Sequence, residues 1–298
     1  MACIVLLHLS SNVPIFEEAY GFVEVFSGAG WCSRVMRTGG HATASLDILK
    51  GDPKPGKQDC MNLLSDSGFA LLLTTILNMK MDDSLCLIGL VCTSWVAINS
   101  ATHGRTPWRP LGNIQFPYVR DGNELTARTA LAVLVLQAMG ACWCIEQPRS
   151  SLVWWHPRLR ALLRSIEEIF STAWWMGHYY SATAKRHICW ANSKKIGRLN
   201  KGVLTKQQRK SISDSGVRTY PPRFGIQLLK IRRQLIDTRV PPPVVPDDVA
   251  AKDLQEFFRD MPWDDLHEDS NLRDVLFYLR GNTSLNLGSW RPLFPTFM

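Results

Sequence analysis

The sequence predicts an α/β fold built on a doubly wound, mostly parallel sheet, with a basic and partly irregular C-terminal extension. Strand-like and helix-like runs alternate through the first 190 residues, which is typical of a parallel sheet with helices on both faces. Residues 85–91 are continuously apolar, as in a strand that is buried on both sides. Residues 23–31 read as a strand that enters a glycine turn and then a helix.

The N-terminal elements follow from short apolar runs separated by turn signals. Strands are predicted over residues 22–26, 42–46 and 85–91, with a short additional strand before Asp59. Helices are predicted over residues 31–38, which Gly39 and Gly40 would end, and over residues 63–78, where apolar side chains recur at helical spacing. A polar loop rich in glycine and proline is predicted from residue 93 to 122.

The pattern continues to about residue 200 and then weakens. Helices are predicted over residues 123–139 and 158–169, and strands over residues 141–145 and 173–180. Beyond them we expect a basic loop at 201–223, an amphipathic helix at 224–238, a proline-rich linker from 241, and short helices at 250–259 and 271–280. The predicted domains are an α/β domain (1–200), a basic extension (201–240) and an acidic tail (241–298).

Charge is distributed unevenly along the 298 residues, whose formal net charge is +8. Residues 149–235 hold eighteen basic and three acidic side chains, whereas residues 1–148 and 236–298 carry net charges of −2 and −5. Clustered lysine and arginine attract phosphate backbones and other anionic surfaces. The middle block therefore indicates a nucleic-acid partner, with a solvated surface neutralised by the acidic tail as the alternative.

The cysteines and the apolar runs argue against a disulfide-rich, a zinc-binding or a membrane protein. Most of the eight cysteines lie in apolar runs, which is typical of small buried residues in a reducing compartment and argues against a disulfide framework. The spacing of Cys142 and Cys144 does not suit a zinc knuckle, and we expect no metal site. No apolar run reaches about 18 residues, so we expect no membrane partner and an intracellular location, a nuclear one included.

Three segments fall at predicted carboxyl ends of strands, where open α/β sheets bind ligands. The first joins the glycine turn at residues 26–30 to Asp47, because glycines let the backbone approach a nucleoside and the carboxylate accepts hydrogen bonds from ribose hydroxyls. The second contains Cys92 and the third contains Glu146. A thiol that adds to a ring carbon, with a carboxyl that relays a proton to a ring nitrogen, suits covalent chemistry on a nucleobase. The alternatives are a buried small residue for Cys92, and a helix cap or a partner of Arg149 for Glu146.

These residues stand in an order that resembles the DNA cytosine-5 methyltransferases. The order is Phe-Ser-Gly-x-Gly, an acid ending the second strand, Asp59, a cysteine after the fourth strand, and Glu-x-Pro after the fifth. The run Glu-Gln-Pro-x-Ser-Ser followed by His-Pro is similar to a divergent branch of that family, and the resemblance covers roughly residues 20–190. It implies a Rossmann-like fold that binds S-adenosylmethionine.

The resemblance also implies a role for each matching residue. Phe26, Ser27, Gly28, Gly30 and Asp47 would hold S-adenosylmethionine, and Asp59 would contact the adenine amino group. Cys92 would attack C6 of a flipped-out cytosine in DNA, Glu146 would engage N3, and C5 would accept the methyl group.

Two other functions remain open from the sequence. Val91 stands where the family has a proline before its cysteine, and the family's Gln-x-Arg-x-Arg motif has no convincing counterpart. These departures favour a catalytically inactive methyltransferase-like module that binds nucleic acid or acts as a scaffold. A dinucleotide-dependent oxidoreductase is the third possibility, although the turn lacks the third glycine of G-x-G-x-x-G.

Overall fold

A six-stranded sheet organises the residues that the computed structural model describes, which are 18–50, 61–212 and 220–242. The strands are β1 (Phe22–Val25), β2 (Thr43–Leu46), β3 (Leu85–Ile88), β4 (Cys142–Pro148), β5 (Phe170–Trp175) and β6 (Arg186–Ala191). They lie in the order β2-β1-β3-β4-β6-β5. Neighbours are parallel, except that β6 runs antiparallel to both β4 and β5. The predicted α/β class with a mostly parallel sheet is confirmed.

Helices alternate with these strands along the described chain. They are α1 (Trp31–Thr38), α2 (Asp66–Leu77), α3 (Ser100–His103), α4 (Pro117–Ala138), α5 (Pro157–Ser165), α6 (Lys206–Ser211) and α7 (Pro222–Asp237). A proline occupies the first turn of α4, α5 and α7, where its missing N–H costs no hydrogen bond. Ser65 caps α2 by accepting a hydrogen bond from Gly68 N (3.0 Å).

The helices cover both faces of the sheet. Side chains of alternate strand residues, among them Phe22, Leu87 and Cys144, pack with α1 and α7 in the main core. On the other face, Trp143 Nε1 donates to Gln137 Oε1 of α4 (3.0 Å), and α2 and α5 pack against α4. The fold is therefore wound on both sides of the sheet.

Several predicted boundaries are wrong. Helix α4 begins at Pro117 rather than residue 123, because Pro117 starts the helix instead of belonging to the polar loop. The strand predicted at 173–180 is β5, which starts at Phe170 and ends at Trp175, before a short 3₁₀ turn (Met176–Tyr179). Strand β6 and helix α6 were not predicted, since both are short and have mixed polarity.

Helix α7 lies within the range predicted as a basic extension, yet its residues Phe224, Leu228 and Leu235 pack in the main core. All described residues belong to one compact unit of the chain. The tail beyond residue 242, its predicted helices and the strand predicted before Asp59 lie outside the described residues.

The cysteines of the described chain follow the sequence expectation. Five free cysteines are buried (Cys32, Cys86, Cys142, Cys144 and Cys189), whereas Cys92 is half-buried. In the same residues, no helix combines the length and the apolar character needed to cross a membrane. No group of histidine, cysteine and acidic residues there could hold a metal ion.

Candidate functional site

The predicted site segments follow three adjacent parallel strands and therefore meet at one edge of the sheet. The glycine turn follows β1, Cys92 follows β3, and Glu146 lies near the carboxyl end of β4. The chain places β2 on one side of β1 and then crosses to β3 on the other side. Such a reversal is the switch point at which open α/β sheets form a ligand crevice.

The glycine turn has an unusual backbone. Phe26 (φ 57°), Gly28 (φ 50°) and Gly30 (φ 67°) all have left-handed conformations, and Gly30 caps the start of α1. For a phenylalanine this conformation costs about 1–2 kcal/mol, and such strain concentrates at functional sites. The sequence indicated the glycines but gave no signal for the conformation of Phe26.

Asp47 fixes this turn from the end of β2. Its Oδ2 accepts a hydrogen bond from Gly28 N (2.7 Å), and its Oδ1 accepts one from Leu49 N (2.9 Å). The two residues that sequence reasoning placed in one nucleoside site are therefore in direct contact. A carboxylate offers about four lone-pair positions, so two remain for ligand hydroxyls.

Two features of the turn suit an external ligand. Ser27 is buried, and its Oγ has no hydrogen-bond partner within the described residues. A Cβ added to Gly28 would meet no atom of the described residues within 4 Å, so in that part of the chain open space lies beside the turn. A buried hydroxyl without a partner is costly unless a ligand or water satisfies it.

Lys50 and Glu24 line the same region, and neither was singled out from the sequence. The Lys50 ammonium donates to Ser45 Oγ and lies 2.7 Å from where a Gly30 Cβ would stand. Glu24 accepts hydrogen bonds from Ser33 N (2.8 Å) and Ser33 Oγ (2.6 Å). Burial raises the pKa of Glu24, and burial lowers the pKa of Lys50, while each charge favours the ionised form of the other. A charged residue inside an apolar strand was the available signal for Glu24.

Cys92 stands at the start of a tight turn beyond β3. Its carbonyl oxygen accepts hydrogen bonds from Trp95 N (2.8 Å) and Val96 N (3.2 Å). The following residues pair with the segment after β4, through a bridge between Val96 and Ser151. The loop that carries the thiol is thus tied to the chain that follows Glu146.

Arg105 organises the rest of this loop. Only 1% of its surface is exposed, and its guanidinium donates to the carbonyls of Ser94 (2.7 Å), Pro110 (2.7 Å) and Val119 (2.9 Å). It also donates to Ser94 Oγ (3.0 Å) and Asn123 Oδ1 (2.6 Å), and its Cζ lies 3.5 Å from the Trp95 ring centroid. Burial lowers the pKa of Arg105 to about 10. The sequence placed Arg105 in a polar loop, where it could contact substrate phosphates or water, whereas the structure shows a buried structural cation.

Both carboxylate oxygens of Glu146 are engaged within the protein. Oε1 contacts His187 Nδ1, and Oε2 accepts a hydrogen bond from the Tyr220 hydroxyl (2.5 Å). Glu146 is 6% exposed. Burial and the neighbouring Glu146 charge raise the pKa of Tyr220. Sequence reasoning missed both partners, which lie 41 and 74 residues further along the chain.

The next residue of the Glu-Gln-Pro run joins the two strand ends. Gln147 Nε2 donates to the Leu90 carbonyl (2.5 Å), and Ser151 Oγ donates to Gln147 Oε1 (2.8 Å). A Cβ on Gly89 would stand 2.5 Å from the Tyr220 oxygen. Only glycine at this position allows the phenol to reach across the end of β3 to Glu146.

A separate cavity of about 500 Å³ opens at the opposite edge of the sheet, where β5 begins. It is lined by Glu167, Glu168, Phe170, Lys194, Asp237, Thr238, Arg239, Val240 and Pro241. It contains none of the predicted site residues. Asp59, the remaining predicted cofactor residue, lies outside the described residues.

Comparisons with known proteins identify no family for this chain. No family model, no curated protein and no solved structure matches the chain.

Proposed function

We propose that the protein transfers a methyl group from S-adenosylmethionine to C5 of a cytosine in DNA. The observation that carries this proposal is the placement of the glycine turn after β1, Cys92 after β3 and Glu146 near the carboxyl end of β4, on three adjacent parallel strands at the switch point of the sheet. The resemblance of the same residues to the cytosine-5 methyltransferases also supports it.

The residues of the turn fit the proposed cofactor. The Ser27 hydroxyl and the open space beside Gly28 suit a ligand that approaches the backbone closely. Asp47 keeps acceptor positions for ribose hydroxyls while it holds the turn. S-adenosylmethionine supplies an electrophilic methyl group when bound.

Cys92 and Glu146 would act on the base. The Cys92 sulfur forms a bond to C6 of the cytosine, while Glu146 holds the ring at N3 and so favours electron density at C5. C5 would take the methyl group, which leaves S-adenosylhomocysteine behind. Water would then accept the C5 proton, and cleavage of the C6–S bond would return the Cys92 thiolate and restore the aromatic ring. The base must leave the DNA stack to reach these groups, and the basic residues 149–235 would hold the backbone.

One observation favours the second candidate, a catalytically inactive module that binds nucleic acid. His187 and Tyr220 each engage one oxygen of Glu146, so this carboxylate is already held by two side chains of the protein and a base would have to share its oxygens with them. Val91 before Cys92 favours the same function.

A methyl-transfer assay with labelled S-adenosylmethionine and DNA or RNA duplexes separates the candidates. We expect activity on DNA that Cys92→Ser and Glu146→Gln abolish, while the matched controls Cys86→Ala and Glu167→Gln retain it. Cys86 is a buried thiol within β3, and Glu167 is an exposed acid far from the site edge. Equal activity in wild type and both site variants would exclude the assigned roles.

Cofactor binding is tested separately by isothermal titration of S-adenosylmethionine and of NAD. We expect heat of binding for S-adenosylmethionine alone, and Gly28→Val should weaken it because a branched side chain enters the open space beside the turn. Binding of NAD alone would favour an oxidoreductase. Binding of S-adenosylmethionine without methyl transfer would favour the inactive module.

A further inference from the structure

Basic and aromatic side chains form an exposed surface beside Glu146, which we call the basic-aromatic surface. Its members are Trp175, Tyr180, Arg186, Lys201, Arg209, Arg223 and Lys230, and the buried ring of Tyr179 lies beneath Lys201. They come from the end of β5 and the segment after it, the start of β6, the loop before α6, α6 itself and α7. The fold, rather than one run of sequence, brings them together.

The cations of this surface are held against aromatic rings. Arg223 Cζ lies 3.7 Å from the Tyr180 ring centroid, and Lys201 Nζ lies 4.3 Å from that of Tyr179. On the neighbouring ring of Trp175, Arg209 Cζ lies at 5.4 Å and Arg186 Cζ at 5.9 Å. Stacking fixes these long side chains, so less conformational entropy is lost when they bind an anion.

The charges are close enough to repel one another. Lys230 and Arg223 both lower the pKa of Lys201, after the larger effect of its partial burial. Among the described residues, no acidic side chain forms an ion pair with Lys201, Arg223 or Lys230. A protein surface that keeps several unneutralised cations together is suited to a polyanion.

Tyr180 adds a second indication at the same place. It has a left-handed backbone (φ 62°), and 72% of its surface is exposed although it is a large aromatic residue. Its ring and the guanidinium of Arg223 together present a flat, cationic face. In nucleic-acid sites, arginine guanidinium groups contact phosphates and exposed aromatic rings stack on bases.

The basic-aromatic surface borders the candidate site through two elements. Arg186 and His187 are neighbours in β6 on opposite faces of the strand, and the His187 ring contacts Glu146. Arg223, in the first turn of α7, stands three residues after Tyr220, whose hydroxyl donates to Glu146. Tyr180 follows β5 at the edge of the sheet where β1, β3 and β4 also end.

We infer that the basic-aromatic surface binds the phosphodiester backbone of a nucleic acid and leads it to the Glu146 edge. This inference rests on the proposed function only for the class of partner, a nucleic acid. It assigns the contact to these residues rather than to the basic block as a whole.

The test is fluorescence anisotropy of short labelled DNA and RNA duplexes over a series of salt concentrations, without cofactor. The double variant Arg223→Gln/Lys230→Gln should bind at least about fivefold more weakly than wild type near 0.1 M salt. The slope of log affinity against log salt should decrease in magnitude by about 1.8, since each lost phosphate contact removes about 0.9. The duplex that wild type binds more tightly identifies the nucleic acid.

The matched control is Lys80→Gln/Arg164→Gln, which removes the same charge from exposed residues before β3 and before β5, at the other edge of the sheet. It should leave both affinity and slope near wild type. Equal losses in the two double variants would overturn the inference, and so would binding to phosphatidylserine vesicles but to neither duplex. Circular dichroism checks that all variants are folded.

The two proposals fail in different ways in these experiments. Duplex binding that depends on Arg223 and Lys230, without any binding of S-adenosylmethionine, would sustain this inference and defeat methyl transfer. Methyl transfer to DNA, with a duplex affinity that the double substitution leaves unchanged, would sustain the methyl-transfer proposal and defeat this inference.

Discussion

Replacing Arg105 with alanine should destabilise the fold more than most single substitutions. The change removes five side-chain hydrogen bonds from the loop that carries Cys92, together with the cation stacked on Trp95. Because Arg105 is almost fully buried, water cannot easily replace the lost donors. The sequence gives no hint of this effect, since the residue stands in a polar, loop-like stretch.

The expected size follows from two opposing contributions. Five hydrogen bonds at about 1 kcal/mol each favour the native state by about 5 kcal/mol. Burial lowers the pKa of Arg105 to about 10, so desolvation of the cation offsets this gain. At about 1.4 kcal/mol per pKa unit, that cost is roughly 3 kcal/mol. The Arg105→Ala variant should therefore lose about 2 kcal/mol of unfolding free energy.

Urea denaturation followed by tryptophan fluorescence measures this change. With a slope of about 2–3 kcal/mol per molar urea, the midpoint should fall by about 0.7–1 M while the slope stays constant. The matched control is Arg109→Ala, an exposed arginine in the same loop, which should stay within about 0.5 kcal/mol of wild type. A loss below about 1 kcal/mol for Arg105→Ala, or an equal loss for both variants, would refute the argument.

Three further predictions concern other parts of the structure. Burial, followed by the charges of Arg105 and Arg158, lowers the pKa of His156 to about 4, below the 6.5 of a free histidine. Between these pH values the unfolded chain binds a proton at this histidine that the native protein does not, so thermal stability should fall as the pH decreases from 6.5 to about 4. The fall should be less steep in His156→Gln. Parallel pH profiles of the melting temperature in the two proteins would count against this assignment. Tyr220→Phe keeps the ring but removes the hydrogen bond to Glu146, and should lower the unfolding free energy in urea by about 1–2 kcal/mol; an unchanged midpoint would contradict that contact. Gly68→Ala should lower the unfolding free energy by at least about 2 kcal/mol, because the added Cβ would overlap the Asn62 carbonyl. Gly197→Ala, whose Cβ meets no atom of the described residues within 4 Å, should be tolerated. Similar melting temperatures for the two variants would argue against the described packing.

Local patterns predicted the parts of the fold that depend on neighbouring residues. Helix α1 has the predicted bounds because its apolar face and the two glycines after it act within one short segment. Strand β1, the turn and Asp47 also follow from local chemistry, and the hydrogen bond from Gly28 to Asp47 joins the two predicted halves.

The missed features depend on contacts between distant segments. Strand β6 is stable because it pairs with strands on both sides, a property that its own six residues do not reveal. The partners of Glu146 come from β6 and from the segment before α7. The position of Tyr220 further depends on a glycine at the end of β3, which no local pattern marks as a contact point.

The position of β6 between β4 and β5 has a consequence for synthesis on the ribosome. Among the described residues, β5 pairs with β6 alone, and β5 is synthesised before β6, so the edge of β4 keeps unpaired amide groups until β6 follows. A nascent or truncated chain that stops before residue 186 therefore has two strands with unpaired edges, β5 and the edge strand β4, which are prone to pair with other chains. The sheet can be completed only after β6, which also contains His187, has emerged from the ribosome.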